Sequence, residues 1–193
     1  MRGPWTLPNF ITLLRLAVLP FFLLAIADGR FDIALAIFVL AGLSDFVDGF
    51  LARRFDMSSA LGSYLDPIAD KLMLMSSYLF LAIPSYPARW KVPVWLAVLV
   101  ISRDFLLLMV ALLLILSSSR KRFTPTWVGK VTTVTQIATV LIVLCANVWD
   151  WPRPLLLVAF GAAATTTILS GLDYLHEVAR SPSGEAAEPA RRG

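Results

Sequence analysis

Charged residues are scarce in this chain of 193 residues, of which only 16% are Asp, Glu, Lys or Arg. Soluble domains carry about 25% charged and about 45–50% apolar residues. Here 58% of the residues are hydrophobic, so a soluble protein would have too little polar surface to cover itself. The composition therefore excludes an ordinary soluble enzyme and a nucleic-acid-binding module, and it predicts an integral membrane protein.

Cysteine and histidine are almost absent. The one cysteine, Cys145, lies within an apolar run, so an internal disulfide and a disulfide scaffold are excluded. The one histidine, His176, falls at the end of the last apolar segment, where we expect a solvated residue. The formal net charge of +4 is expected to reflect basic loops beside anionic lipid rather than a nucleic-acid partner.

Long hydrophobic runs are abundant, and six of them can cross about 30 Å of hydrocarbon as helices. They are Leu7–Ala27, Phe31–Ala52, Ala60–Ile83, Val92–Leu116, Trp127–Val148 and Pro154–Leu175. Charged residues, proline or glycine separate them. The sequence thus predicts an all-α integral membrane protein with six transmembrane helices in one domain, residues 1–178. A disordered cytoplasmic tail, residues 179–193, is expected to follow.

Basic residues outside these segments are distributed unevenly. Nine fall on the side of the N-terminus and four on the other side, which by the positive-inside bias places both termini in the cytoplasm. The nine are Arg2, Arg53, Arg54, Arg120, Lys121, Arg122, Arg180, Arg191 and Arg192, and the four are Arg30, Arg89, Lys91 and Arg153. We therefore expect a multi-pass protein of a cell membrane, such as a bacterial inner membrane.

Four aspartates interrupt the second and third apolar segments. A charged residue near the centre of a span costs at least about 2.5–3.5 kcal/mol, so its retention indicates a function. Asp45 and Asp48 are three residues apart, and Asp66 and Asp70 are four apart, so each pair lies on one helix face. The short connection at residues 54–61 can bring the two acidic faces together at the cytoplasmic side.

Four converging carboxylates repel one another unless they are protonated or neutralised. Hard divalent cations are their natural partners, and Mg²⁺ combines carboxylates with substrate phosphates. Two such ions about 3.5–4 Å apart can hold the attacking and the leaving oxygen of a phosphoryl displacement. Gly49 and Gly62 fit this interpretation, because a missing side chain lets a phosphate-bearing ligand approach the backbone. The pattern predicts Mg²⁺ or Mn²⁺, as two ions.

A cation transporter is the alternative from another class, because intramembrane aspartates also serve ion and proton pathways. Such a protein would need a polar path that reaches both membrane faces. The four aspartates gather instead around one cytoplasmic turn, which favours an enzyme.

The full acidic pattern is Asp45-x2-Asp48-Gly49-x2-Ala52-Arg53-x8-Gly62-x3-Asp66-x3-Asp70. It resembles the signature of the CDP-alcohol phosphatidyltransferases at every defining position. Two further motifs, Pro8-Asn9-x-Ile11-Thr12-x2-Arg15 and Gly129-Lys130-x2-Thr133-x2-Gln136, are similar to the first-helix and fifth-helix motifs of members of that family. The resemblance implies six transmembrane helices, a homodimer and an active site that faces the cytoplasm.

The resemblance also implies a reaction, the transfer of a phosphatidyl group from CDP-diacylglycerol to an acceptor hydroxyl with release of CMP. Asp45, Asp48 and Asp66 are the expected metal ligands, and Asp70 is the expected base and a ligand of the second ion. The expected positions for binding CDP-diacylglycerol are Gly49, Ala52, Arg53 and Gly62. Arg53 can pair with phosphate through two parallel hydrogen bonds, and snorkelling to the interface is its alternative role.

The acceptor is expected to be glycerol 3-phosphate, with phosphatidylglycerol as the alternative. A phosphate-bearing acceptor needs positive charge, which we predict Arg103 and Lys130 supply. Members that use glycerol 3-phosphate often show Arg-Glu in the fourth helix, whereas Arg103-Asp104 looks more like the branch that uses phosphatidylglycerol. Arg103 can alternatively pair with Asp104. Lys71 projects about 100° away from Asp70, so we expect it in a structural ion pair.

Overall fold

Six α-helices make up the computed structural model of this chain, which describes residues 7–55, 60–116, 127–149 and 151–180. Side chains are described at residues 10, 12–45, 69–109, 127–149 and 151–174. The helices are α1 (Leu7–Ala27), α2 (Phe31–Phe55), α3 (Ala60–Ala82), α4 (Val94–Leu116), α5 (Trp127–Trp149) and α6 (Arg153–Arg180). They match the predicted segments to within a few residues at most ends, and the described ranges contain no strand. The all-α prediction of six helices is confirmed.

The first helix ends at a glycine in a left-handed conformation. Gly29 has a φ of 73°, and its N–H donates to the Ile26 carbonyl at 3.1 Å. The Arg30 N–H donates to the Ala25 carbonyl at 2.8 Å. These bonds satisfy carbonyls that a helix end leaves unpaired, and glycine suits the position because it has no Cβ to clash. A Cβ on Gly29 would lie 2.9 Å from Cγ of Pro87, so this turn packs closely on the α3–α4 loop.

The three connections α1–α2, α3–α4 and α5–α6 lie together at one end of the bundle, which we call the turn end. Two contacts hold them there: Gly29 packs on Pro87, and the Asn147 side chain binds the backbone of Trp90. The Asn147 amide nitrogen donates to the Trp90 carbonyl at 2.8 Å, and its Oδ1 accepts from the Trp90 N–H at 3.0 Å. The α3–α4 loop is therefore fastened to the α1–α2 turn and to the last turns of α5.

Helix α1 packs between α2 and α3, whose described backbones do not pack directly on each other. Helix α5 contacts α2, α3 and α6, and α4 contacts α3 and α6. The hydrophobic core lies toward the turn end, where apolar side chains from all six helices are fully buried. They include Phe22, Ile26, Tyr78, Leu81, Leu96, Val143, Leu144 and Leu156. Polar side chains of α1, α2 and α3 occupy the part of the bundle beyond this core.

Apolar side chains also cover much of the outer surface. Phe21, Leu40 and Val158 are 64%, 63% and 68% exposed. Within the described residues, Trp127–Trp149 and Arg153–Tyr174 are long and apolar enough to cross a membrane, and Thr12–Ala27 is a shorter apolar segment. Helix α6 continues through Arg180, and residues 181–193 of the predicted tail lie outside the described residues.

Candidate active site

A pocket of about 240 Å³ opens between α1, α2, α3 and α5. Its lining residues are Arg15, Phe38, Ala41, Gly42, Asp45, Asp70, Lys71, Met73, Leu74, Thr133 and Ile137. Asp45 and Asp70 are the first and last aspartates of the acidic motif, and the side chain of each is 47% exposed. The fold thus brings together carboxylates from two helices that are separated by α1.

The buried guanidinium of Arg15 joins these two carboxylates. Its Nη2 lies 3.0 Å from Oδ1 of Asp45, and its Nη1 donates to Oδ1 of Asp70. The Arg15 side chain is only 5% exposed. A buried cation is costly unless it is paired, so the two carboxylates account for its presence inside the bundle.

The remaining predicted residues of the acidic motif lie outside the described side chains. These are Asp48, Gly49, Ala52 and Arg53 on α2, and Gly62 and Asp66 on α3. Among the side chains that the structure describes, no group of three or more metal-ligating residues assembles. The roles predicted for these residues therefore stay predictions.

The described half of the predicted metal site suits a hard cation. Asp45 and Asp70 present oxygen donors to one point, and a positive charge, the Arg15 guanidinium, already occupies that point. Carboxylate oxygens are the ligands that Mg²⁺ and Mn²⁺ prefer. Both aspartates are half-exposed toward the pocket, so an ion entering it can reach them.

Helix α5 also contributes to the pocket wall. Thr133 and Ile137 line the pocket, and Lys130 lies one turn before Thr133 on the same helix face. Lys130 is exposed, and its Nζ lies 5.1 Å from the centre of the Trp127 ring. Lys130 does not line the pocket itself, but it lies one turn along α5 from Thr133, which does.

Arg103, the other predicted acceptor-binding residue, is not brought to this pocket. Its Nη1 lies 2.7 Å from Oδ1 of the fully buried Asp104, and its Nη2 donates to Ser170 on α6. It lines a separate cavity of about 290 Å³ between α4 and α6. The structure thus shows the alternative that the sequence left open, in which Arg103 pairs with Asp104.

Asp104 also holds Lys71. The Lys71 Nζ lies 2.8 Å from Oδ2 of Asp104, which confirms that Lys71 takes part in a structural ion pair. One buried carboxylate on α4 therefore binds a cation from α3 and its own neighbour Arg103. Because Lys71 directly follows Asp70, this ion pair helps to fix the part of α3 that carries the pocket carboxylate.

The sequence analysis assigned no role to two residues that line the pocket, Arg15 and Gly42. Arg15 was recognisable as a charged residue inside an apolar segment, but its spacing gave no indication of its partners on other helices. Gly42 also lines the pocket, and a Cβ built on it meets nothing within 4 Å. Gly42 lies three residues before Asp45, on the same face of α2, and this spacing was the available signal.

The fold and the site together define an all-helical protein with a carboxylate pocket between its helices. The model of the CDP-alcohol phosphatidyltransferase family matches residues 5–170. The chain belongs to the CDP-alcohol phosphatidyltransferase family, which confirms the resemblance recognised from the acidic motif. This membership favours a transferase over the cation transporter.

Curated relatives fall into two groups by name. A rat protein named cardiolipin synthase (CMP-forming) is 33% identical over 91% of this chain and 62% of its own length. A Mycobacterium tuberculosis protein named probable phosphatidylglycerophosphate synthase is 34% identical over 92% of this chain and 84% of its own length. An Escherichia coli protein named CDP-diacylglycerol–glycerol-3-phosphate 3-phosphatidyltransferase is 32% identical over 89% of this chain and 93% of its own length. The chain therefore spans about 62% of the length of the rat protein and most of the two bacterial ones.

Proposed function

We propose that this protein transfers the phosphatidyl group of CDP-diacylglycerol to glycerol 3-phosphate and releases CMP. The observation that carries the proposal is the convergence of Asp45 and Asp70 on one pocket in a chain of this family. The bacterial relatives whose names indicate this reaction are similar along most of their length. The product would be phosphatidylglycerophosphate, so the protein would serve phospholipid biosynthesis.

The proposed step is a displacement at the phosphorus that carries the diacylglycerol. The acceptor hydroxyl oxygen forms a bond to this phosphorus, the bond from phosphorus to the oxygen of CMP breaks, and CMP leaves with that electron pair. Asp70 takes the hydroxyl proton as the new bond forms. Its position on the pocket wall, half-exposed, allows a hydroxyl to approach it.

Asp45, Asp48, Asp66 and Asp70 are the proposed ligands of two divalent ions, Mg²⁺ or Mn²⁺. When bound, the ions supply positive charge to the phosphate oxygens. Asp45 on α2 and Asp70 on α3 are held close to each other by their contacts with Arg15.

The substrate phosphates need further partners. We assign the CDP-diacylglycerol phosphates to Gly49, Ala52, Arg53 and Gly62, which follow or precede the acidic pairs on α2 and α3. Lys130 is the proposed cation for the acceptor phosphate, since it lies one turn from the pocket wall. Arg103 would serve the acceptor only after leaving Asp104, so we give the role first to Lys130.

The proposed setting is a cell membrane crossed by all six helices. Support comes from two long apolar helices and from exposed apolar side chains on α1, α2 and α6. The basic residues favour cytoplasmic termini, and the pocket lies away from the turn end, on the side of those termini. We further propose a single membrane domain at 1–178, a cytoplasmic tail at 179–193, a homodimeric state and a bacterial inner membrane location.

Cardiolipin synthesis with phosphatidylglycerol as acceptor is the second candidate. The observation that favours it is Arg103-Asp104 in α4, an ion pair in the structure, together with the similarity to rat cardiolipin synthase (CMP-forming). The chemistry at the carboxylates would be unchanged, and only the molecule that carries the attacking hydroxyl would differ.

The deciding experiment incubates purified protein in mixed micelles with CDP-diacylglycerol, Mg²⁺ and either glycerol 3-phosphate or phosphatidylglycerol. CMP release and the mass of the lipid product are measured. We expect CMP release with glycerol 3-phosphate, loss of it in Asp70→Asn by more than about tenfold, about 1.4 kcal/mol in the barrier, and retention in Asp28→Asn. Asp28 is exposed at the turn end, so it controls for the loss of one negative charge.

Release of CMP with phosphatidylglycerol alone would assign the protein to cardiolipin synthesis. Release with neither acceptor would contradict both candidates. Near-normal release by Asp70→Asn would contradict its role as base, whichever acceptor is used.

A further inference from the structure

The Arg15 guanidinium contacts Asp45 and Asp70, the two described carboxylates that are proposed to bind the divalent ions. We propose that Arg15 is a positioning residue of the acidic site: it holds Asp45 and Asp70 together in the metal-free protein, and it competes with the divalent cation for them. Metal binding then requires the guanidinium to release at least one of the two carboxylates. This inference rests on the proposed metal site, and it concerns a residue on α1, outside the acidic motif.

The first argument is geometric. Each terminal nitrogen of Arg15 contacts a different carboxylate, Nη2 that of Asp45 and Nη1 that of Asp70. The two aspartates belong to α2 and α3, whose described backbones do not pack on each other. One planar guanidinium therefore links two helices across α1, a geometry that its rigid set of donors allows.

The second argument is burial. The Arg15 side chain is 5% exposed, whereas the side chains of Asp45 and Asp70 are each 47% exposed. The Arg15 guanidinium is thus buried inside the bundle, whereas the two carboxylates face the pocket from which a metal ion would arrive. The Nε of Arg15 is buried without a hydrogen-bond partner among the described residues, so the carboxylates are the acceptors that hold the guanidinium.

The third argument is charge. The described charged residues that line the pocket are Arg15, Lys71, Asp45 and Asp70, and Lys71 is bound to Asp104. Arg15 therefore compensates the two pocket aspartates. A divalent ion placed on the same oxygens would face the neighbouring positive charge of the buried Arg15 guanidinium, and burial on one side weakens the screening of their repulsion. Both cations cannot keep full contact with both carboxylates.

The test uses Arg15→Met and Arg15→Lys in purified protein without substrate. Mn²⁺ affinity is measured by electron paramagnetic resonance of the free ion, and the thermal unfolding midpoint is measured in excess chelator and in Mn²⁺. We expect Arg15→Met to bind Mn²⁺ about ten- to hundredfold more tightly, the range of a charge-assisted contact. Its midpoint in chelator should fall, and Mn²⁺ should raise it by more than in the wild type.

Arg15→Lys keeps the charge but offers one compact ammonium instead of a fork. We expect its Mn²⁺ affinity and its midpoint in chelator to lie between those of the wild type and Arg15→Met. If Arg15→Met does not fold, this direction of change in Arg15→Lys still decides the matter. Arg30→Met is the matched control: it removes one exposed cation at the turn end, and both measurements should remain at wild-type values.

Unchanged or weaker Mn²⁺ binding in both Arg15 variants would overturn the inference, since a purely structural arginine changes stability without tightening metal binding. The failure of the proposed metal site has a different signature. In that case the wild type itself would bind no Mn²⁺, with or without the arginine.

Discussion

Single charged side chains inside the bundle are held by partners on other helices. Arg15 on α1 binds Asp45 and Asp70, and Lys71 on α3 binds Asp104 on α4. Removing one member of a buried pair leaves an uncompensated charge, which costs far more than an exposed pair contributes. These ion pairs therefore help to position the two pocket carboxylates, Asp45 and Asp70, and the buried carboxylate of Asp104.

Lys130 offers a test of acceptor binding at the residue scale. If glycerol 3-phosphate is the acceptor, Lys130→Ala should raise its apparent KM about ten- to hundredfold, because one charge-assisted contact to phosphate is lost. The apparent KM for CDP-diacylglycerol should change much less. Steady-state CMP release with each substrate varied in turn measures both constants.

Lys91→Ala is the matched control for this prediction, since Lys91 lies in the α3–α4 loop at the turn end. An equal effect of Lys130→Ala on both substrates would argue against a specific contact with the acceptor. Phosphatidylglycerol carries its phosphate one glycerol away from the attacking hydroxyl, so with that acceptor the substitution should matter less.

Helices and their connections show how local sequence sets the architecture. Gly29 ends α1 in a left-handed conformation, and Pro93 accepts from the N–H groups of Leu96 and Ala97 at the start of α4. Between α5 and α6, hydroxyl groups bridge the helices: Thr132 donates to the Thr166 carbonyl at 2.9 Å. Such bonds join helices whose surroundings are apolar.

Gly29→Ala tests the turn at the element scale. A Cβ there requires a left-handed alanine, at about 1–2 kcal/mol, and it would meet Cγ of Pro87 at 2.9 Å. We expect a clear fall in the thermal unfolding midpoint of the purified protein. Gly161→Ala is the matched control, because a Cβ at Gly161 meets nothing within 4 Å and alanine favours a helix interior by about 1 kcal/mol. A similar fall in both variants would contradict the explanation.

The molecule as a whole divides into an apolar core toward the turn end and a charged pocket beyond it. The core residues join the helix pairs α1–α2, α3–α4 and α5–α6. The pocket opens among α1, α2, α3 and α5. Substitutions at the polar pocket residues therefore leave the buried apolar contacts of the core in place.

Metal dependence is the prediction for the whole protein. Transfer should require Mg²⁺ or Mn²⁺, cease in excess chelator and return when either ion is added. The sequence places few basic residues on the two helices that carry the four aspartates, and one of these, Lys71, is bound to Asp104. Circular dichroism in chelator should show retained helices, so that loss of turnover reports the site. Full turnover in excess chelator would contradict the metal site.

Much of this architecture is readable from the sequence because its signals are local. Each apolar run is long enough to specify a helix, and the breakers between runs specify the connections, so six helices were predictable almost to their ends. The spacing of Asp45, Asp48, Asp66 and Asp70 places them in pairs on helix faces whatever the neighbours are. The family followed from the same motif.

Only the tertiary structure decided which charges meet. Arg15 reaches Asp45 and Asp70 because α1 packs between α2 and α3, an arrangement that no periodicity within one helix encodes. Arg103 faces Asp104 and Ser170 rather than the pocket, because α4 packs on α3 and α6. Helix formation depends on residues within a few turns, whereas the choice of neighbouring helix depends on how all six apolar surfaces pack together. The sequence alone therefore determined the helices and the acidic motif, and the packing of the bundle determined the partners of its buried charges.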